Sequence, residues 1–241
     1  MDCHGGSRGT LGGALVAGGA AAAIGAACWA ARGRSSTVFG PSVWHGNKER
    51  REIALTFDDG PSPATAVLLD LLNKHSIPAT FFQCGMHVRR YPKIARDILA
   101  AGHEIGNHTD THPRLWLKSS EFIYEELRRT QETIAEVTAV QPHLFRATYG
   151  VRWFGLAEAQ KRLGLLNVMW TTIGLDWKLG PTDVAGRLLR GARNGAIYCL
   201  HDARERDADP DIRVSVDAVK RVVPILLDRG YSFRTVSDLL R

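Results

Sequence analysis

The sequence predicts an α/β fold with parallel strands, a closed or nearly closed (β/α) barrel of about seven strands. Three observations carry that prediction. From residue 53 onward, short apolar runs alternate with longer amphipathic stretches, as parallel strands joined by crossover helices require. The alternation repeats roughly seven times, somewhat fewer than the eight units of the usual barrel. No G-x-G-x-x-G follows the first apolar run, which weighs against the rival, a doubly wound open sheet. In both architectures ligands gather at the C-terminal ends of the strands.

The strands are expected at Ile53–Phe57, Ala79–Gln83, His103–Gly106, Leu144–Arg146, Asn167–Trp170, Ala196–Leu200 and Ser232–Arg234. Each is a short run rich in apolar or β-branched residues, bounded by turn formers. Helices are expected at Ala64–His75, Pro92–Ala101, Ser120–Thr138, Leu156–Leu163, Thr182–Arg193 and Ser215–Asp228. In "AVLLDLLNKH" and "VDAVKRVVPILLDRG" the apolar residues recur at helical spacing. Gly102, Gly164 and Gly230 follow three of these helices closely, where a C-terminal cap belongs.

The front of the chain differs. Leu11 to Ala31, "LGGALVAGGAAAAIGAACWAA", carries no charge, with Arg8 before it and Arg32 and Arg34 after it. Residues 1–32 read as a signal peptide or membrane anchor, giving membrane association through 11–31 and a place in the cell envelope or outside the cytoplasm. Ten alanines and five glycines make insertion marginal, and an alanine-glycine extension is the plainer alternative. Residues 33–50, rich in turn formers and charge, read as a linker into a domain at 51–241.

Composition excludes several classes. The excess of six basic residues is scattered and not interleaved with aromatics, so it does not describe a nucleic-acid surface. Cys3, Cys28, Cys84 and Cys199 show no paired spacing, hence no disulfide framework and no cysteine zinc site. No obligate protein partner is evident.

The strand ends carry the chemistry. "IALTFDDGP" ends a strand with Asp58 and Asp59, adjacent carboxylates followed by Gly60 and Pro61, which stop the strand. "EIGNHTDTHP" places His108 and His112 four apart, the spacing that puts both rings on one face of a helical turn. Such a pair alone is common on solvated helices. Here it follows a buried strand, and two histidines with one aspartate form a three-ligand set for a divalent metal, zinc foremost. If Asp59 holds a cation, its repulsion with Asp58 is relieved and Asp58 is free to act as a general base on water. "FRATYG" turns Arg146 toward the same mouth, where it can pair with a carboxylate. "GLDWK" and "AIYCLHD" bring Asp176 and His201, a second couple in which the carboxylate raises the basicity of the imidazole.

Taken together, "TFDDGP", "HTDTH", "RATYG", "DW" and "CLH", in that order from about Arg51 to Arg241, resemble the five motifs of the polysaccharide deacetylase (NodB-homology) family of metal-dependent carbohydrate esterases. The resemblance implies a distorted (β/α) barrel and removal of N-acetyl groups from an N-acetylated poly- or oligosaccharide. It implies Asp58 as base, His201 as acid, and Asp59, His108 and His112 as metal ligands. Arg146 would position Asp58, Asp176 would tune His201, the Tyr149 amide would face the oxyanion, and Trp177 would line the acetyl pocket. Three departures stand out. Thr148 replaces a proline, expected to loosen the loop presenting Tyr149. Cys199 replaces a leucine of the acetyl pocket, and Ile173 stands where an acidic residue is common. Rival readings are a deformylase or amidase acting on a lipid-linked sugar or small amide, and a catalytically inactive carbohydrate-binding relative.

Overall fold

A computed structural model describes residues 22–205, 207 and 210–241. A helix α1 covers 22–32. Then follow β1 (Ser42–Val43), β2 (Glu52–Asp58), α2 (Thr65–Lys74), β3 (Thr80–Gln83), α3 (Gly85–Arg90), α4 (Pro92–Ala100), β4 (Glu104–Asn107) and α5 (Ser120–Thr138). The second half comprises β5 (Leu144–Phe145), α6 (Leu156–Leu163), β6 (Leu166–Val168), β7 (Thr172–Ile173), α7 (Pro181–Arg190), β8 (Ala196–His201), α8 (Arg213–Asp228), β9 (Ser232–Phe233) and α9 (Val236–Leu240).

The sheet is parallel throughout and runs β1-β6-β5-β4-β3-β2-β8-β7, with β9 also pairing β2. From β2 to β6 the strands follow in chain order, and β8 and β7 return on the other side of β2. That is the winding of a barrel, without the central reversal of a doubly wound sheet. The ring stays open between β1 and β7. The chain itself bridges that gap: Met169 N–H donates to Val43 O at 2.7 Å and Thr171 N–H to Ile197 O at 2.9 Å. The seven expected strands are present; the two further ones, β1 and β7, have two residues each and lie in no apolar run that marks them off from the turn formers around them.

Alternation along β2 explains why the site sits where it does. Ile53, Leu55 and Phe57 pack outward with Leu68, Leu72, Val219 and Val222 of the surrounding helices. Ala54 points the other way, into a smaller cluster with Phe82, Leu144, Val168 and Ile197. Thr56 and Asp58 share that inner parity, so the interior turns polar toward the strands' C-terminal ends. Gly164 closes α6 with φ 65°, the left-handed cap its position predicts.

Within the segment expected as a linker, residues around Phe39 and β1 make contacts with the domain. The turn-rich composition of the segment conceals Phe39 and the β1 pair. Ser42 and Val43 pair with Asn167 and Val168, Phe39 is buried against the rings of Trp153 and Phe154, and Gly46 N–H donates to Gly195 O. The anchor is Arg152, a fully buried guanidinium. It donates to the carbonyls of Ala31, Gly33 and Ser36, so backbone dipoles solvate its charge. Of the expected membrane segment, residues 11–21 lie outside the described residues. Among the described residues no helix is long and apolar enough to cross a membrane.

Replacing Arg152 by alanine leaves the buried Ser36 carbonyl without its donor and removes the side-chain donors to Ala31 and Gly33. Urea unfolding of Arg152→Ala is expected to show a loss of about 2–4 kcal/mol. An unchanged midpoint would show that Arg152 does not hold the segment.

Candidate active site

Asp58 is the last residue of β2, and Asp59 turns out of the strand with φ 76°, a conformation Asp tolerates better than most residues. Gly60 follows because Asp202 lies directly against it, and any side chain there would collide with that carboxylate. The two aspartates therefore diverge. Asp58 Oδ1 accepts from Arg146 Nη1 at 2.7 Å. Asp59 faces the opposite partners, with His108 Nε2 at 3.3 Å and His112 Nε2 at 3.0 Å from its Oδ1.

These three side chains are all buried, and one donor atom from each lies within 4.8 Å of the others. His108 Nδ1–H donates to the Arg146 carbonyl at 2.8 Å, which aims Nε2 at Asp59 and keeps it as the nitrogen available to a cation. Burial alone would raise the Asp59 carboxyl. Hydrogen bonds from His108 and His112 and the positive charge of His201 hold it well below the usual carboxylate range. An ionised carboxylate from the turn after β2 and two imidazole nitrogens from the loop after β4, with the His108 Nδ1 proton held by a carbonyl, fit a divalent cation of zinc type.

The histidine pair departs from expectation in one respect. Residues 108–113 form an irregular loop rather than a helical turn, with Thr109 at φ 67° and His112 at φ 54°. Side chains replace the helix in shaping it. Asn107 Oδ1 accepts from Thr109 N–H at 2.9 Å. Glu126 of α5 accepts from the Asp110 and Thr111 amides at 3.0 and 2.8 Å. Thr148, expected to loosen the next loop, ties it down: its hydroxyl donates to the Pro113 carbonyl. Sequence reasoning missed Glu126 and His87, whose Nδ1–H donates to the Asp59 carbonyl at 2.7 Å. Neither carries a local signal beyond being a polar residue on a helix that follows a strand.

The second couple is also assembled. His201 ends β8 and its Nδ1–H donates to Asp176 Oδ1 at 2.9 Å. Asp176 Oδ2 accepts from the His201 amide and the Ser215 hydroxyl. Burial would raise Asp176, but His201 and Ser215 keep it lowered. Burial likewise disfavours charge on His201, yet Asp176, with Asp59 and Asp58, pushes its pKa up to about 9. One ionisable group is thus an arginine-paired carboxylate and the other a carboxylate-paired imidazole, opposite in sign.

Both couples open onto a cavity of about 910 Å³ that Tyr149, Trp177, Cys199 and Ile173 also line. Tyr149 sits at φ 56° in a tight turn, Thr148–Gly150. The Trp177 ring stands edge-on to His201 at 5.0 Å. Cys199 lines the cavity as expected of a pocket residue, and its Sγ–H also points at Asp58 Oδ2 from 3.4 Å.

Comparison with known proteins matches residues 45–168 to the polysaccharide deacetylase family. A chitooligosaccharide deacetylase of Rhizobium leguminosarum bv. trifolii is 37% identical over 197 residues, covering 77% of this chain and 90% of that one. Among solved structures, the Bc1960 peptidoglycan N-acetylglucosamine deacetylase aligns with TM-score 0.77 at 28% identity, covering 83% of this chain and 92% of that one. BA3943 of Bacillus anthracis, described as a CE4 family pseudoenzyme, aligns with TM-score 0.76 at 25% identity, covering 85% and 70%.

His201 gives a direct test of the electrostatics. Its folded-state pKa of about 9 exceeds the unfolded value of about 6.5. The protonated ring therefore stabilises the fold fully below pH ~6.5, and that contribution is lost as pH rises through about 9. In a proton NMR titration of the metal-free protein, Asp176→Asn is expected to lower the His201 pKa by at least about one unit. An unmoved titration would remove Asp176 as the cause.

Proposed function

The chain belongs to the polysaccharide deacetylase family, and from that premise we propose that it hydrolyses the N-acetyl group of amino-sugar residues in a chitooligosaccharide- or peptidoglycan-like chain. The observation that carries this reading is the convergence in one cavity of the Asp59, His108 and His112 donor set with two separately held proton-transfer groups of opposite sign.

Asp59, His108 and His112 would hold the cation. A divalent cation there, zinc by its ligand set, supplies Lewis acidity toward water and the acetamide carbonyl. Asp58, held by Arg146, accepts the proton of the attacking water. The Tyr149 amide faces the developing oxyanion, and Trp177 with Cys199 flanks the acetyl methyl. His201 carries a proton at neutral pH, because Asp176 raises its pKa to about 9. It delivers that proton to the amine nitrogen as the C–N bond breaks, giving acetate and a free amino sugar. The relatives' named substrates, chitooligosaccharide and peptidoglycan N-acetylglucosamine, support the substrate class and a place of action outside the cytoplasm.

Removal of a formyl or other acyl group from a related amide is the alternative within the same chemistry, separated by measuring acetate against formate release. An inactive relative is the alternative outside it, and complete proton-transfer couples speak against that. In the deacetylation assay, Asp58→Ala and His201→Ala are each expected to lower kcat by roughly 10² to 10⁴-fold. Metal content should be retained in both and lost in His108→Ala. Activity that survives Asp58→Ala unchanged would end the mechanism.

A further inference from the structure

Cys199 and His201 are two residues apart on β8, so their side chains leave the same face of the strand. In the β2–β8 ladder Thr56 stands opposite Cys199, and Asp58 stands opposite His201. A thiol, an imidazole and a carboxylate are thereby gathered on one inner face, with one potential ligand atom from each within 4.8 Å of the others. All three line the cavity. This group shares no residue with the Asp59, His108 and His112 set.

From this juxtaposition we infer a second cation site at Asp58, Cys199 and His201, which takes a thiophilic divalent ion and switches the enzyme off. The inference rests on the deacetylase reading only for its consequence, the inhibition. Ligands of one tetrahedral ion stand roughly 3.3–3.8 Å apart. Side-chain rotation closes a group already within 4.8 Å, and Cys199 Sγ is 3.4 Å from Asp58 Oδ2 as it stands. His201 is prepared as a ligand, because its Nδ1 is engaged by Asp176 and its Nε2 remains as the second nitrogen. On binding, the Cys199 thiol and the His201 ring each release a proton to solvent, and sulfur, nitrogen and oxygen coordinate the ion. Asp58 then cannot accept a proton and His201 has none to deliver. The same metal activates at one equivalent and inhibits above it. Cys199 selects the inhibiting ion, since thiolate favours zinc, cadmium or cobalt over magnesium or calcium.

The test is a cobalt titration of the full-length, metal-stripped protein, read by absorption. The first equivalent is expected to give only the weak visible bands of nitrogen and oxygen ligation. The second should add an intense near-ultraviolet thiolate-to-cobalt band. Cys199→Ser and Cys199→Ala should bind the first equivalent and lack that band, while Cys3, Cys28 and Cys84 remain in both variants as internal controls. In parallel, excess zinc should lower wild-type acetate release at least about tenfold from its one-equivalent rate. Each variant should change less than about twofold relative to its own one-equivalent rate. Absence of the band at every equivalent, or its persistence in both variants, overturns the second site. Failure to bind the first equivalent, with the thiolate band still appearing, would instead count against the Asp59, His108 and His112 assignment and leave the second site standing.

Discussion

The site depends on one buried residue, Arg146. Its guanidinium is wholly inaccessible and spans the barrel interior. It donates to Asp58 Oδ1 at 2.7 Å, to Thr56 Oγ1 at 2.6 Å and to the Val168 carbonyl at 2.9 Å, and lies 4.1 Å from the Phe82 ring centre. Its own carbonyl accepts from His108 Nδ1. One residue thus orients the proposed base through its side chain and a proposed metal ligand through its backbone. A buried arginine is costly unless its donors are satisfied, and here β2, β6 and an aromatic face share that duty. The geometry of base relative to ligand is therefore set by the core itself, not by a surface loop.

Strand parity does the rest. Along β2 the residues at 53, 55 and 57 face the helices, so 54, 56 and 58 face inward. On β8 the ladder sets Cys199 opposite Thr56 and His201 opposite Asp58. A slip of one residue in either strand would send Asp58 or His201 outward. The large outer cluster of Ile53, Leu55, Phe57, Tyr198 and Leu200 locks that register, so apolar packing on one side of the sheet dictates the geometry of the candidate site on the other.

Long elements with a strong period were legible in the sequence. The helices at Ser120–Thr138 and Leu156–Leu163 end where the amphipathic pattern ends. The diads Asp58–Arg146 and Asp176–His201 were legible because each motif closes a strand, and strand ends converge. The two-residue strands β1 and β7 were not, since neither lies in an apolar run that marks it off from the turn formers around it. The fixing of the His108–His112 loop by Glu126 was illegible because its partners are backbone amides, which leave no trace in side-chain pattern. Thr148 was misleading for a related reason: losing proline's rigidity is offset by a hydroxyl that bonds across to Pro113. The packed segment before β2 was hidden by composition, because backbone carbonyls and a distant Arg152 hold it, and neither is visible locally.

The central claim is that a cation at Asp59, His108 and His112 works with a flanking base and acid to cleave an N-acetyl group. Acetate release from N-acetylglucosamine oligomers, measured with metal-stripped protein and again after one equivalent of zinc, tests it most directly. The account predicts no release above background from the stripped protein and restored release at one bound equivalent. Release that persists after complete metal removal, or its absence from every N-acetylated glycan tested despite one tightly bound zinc, would contradict it.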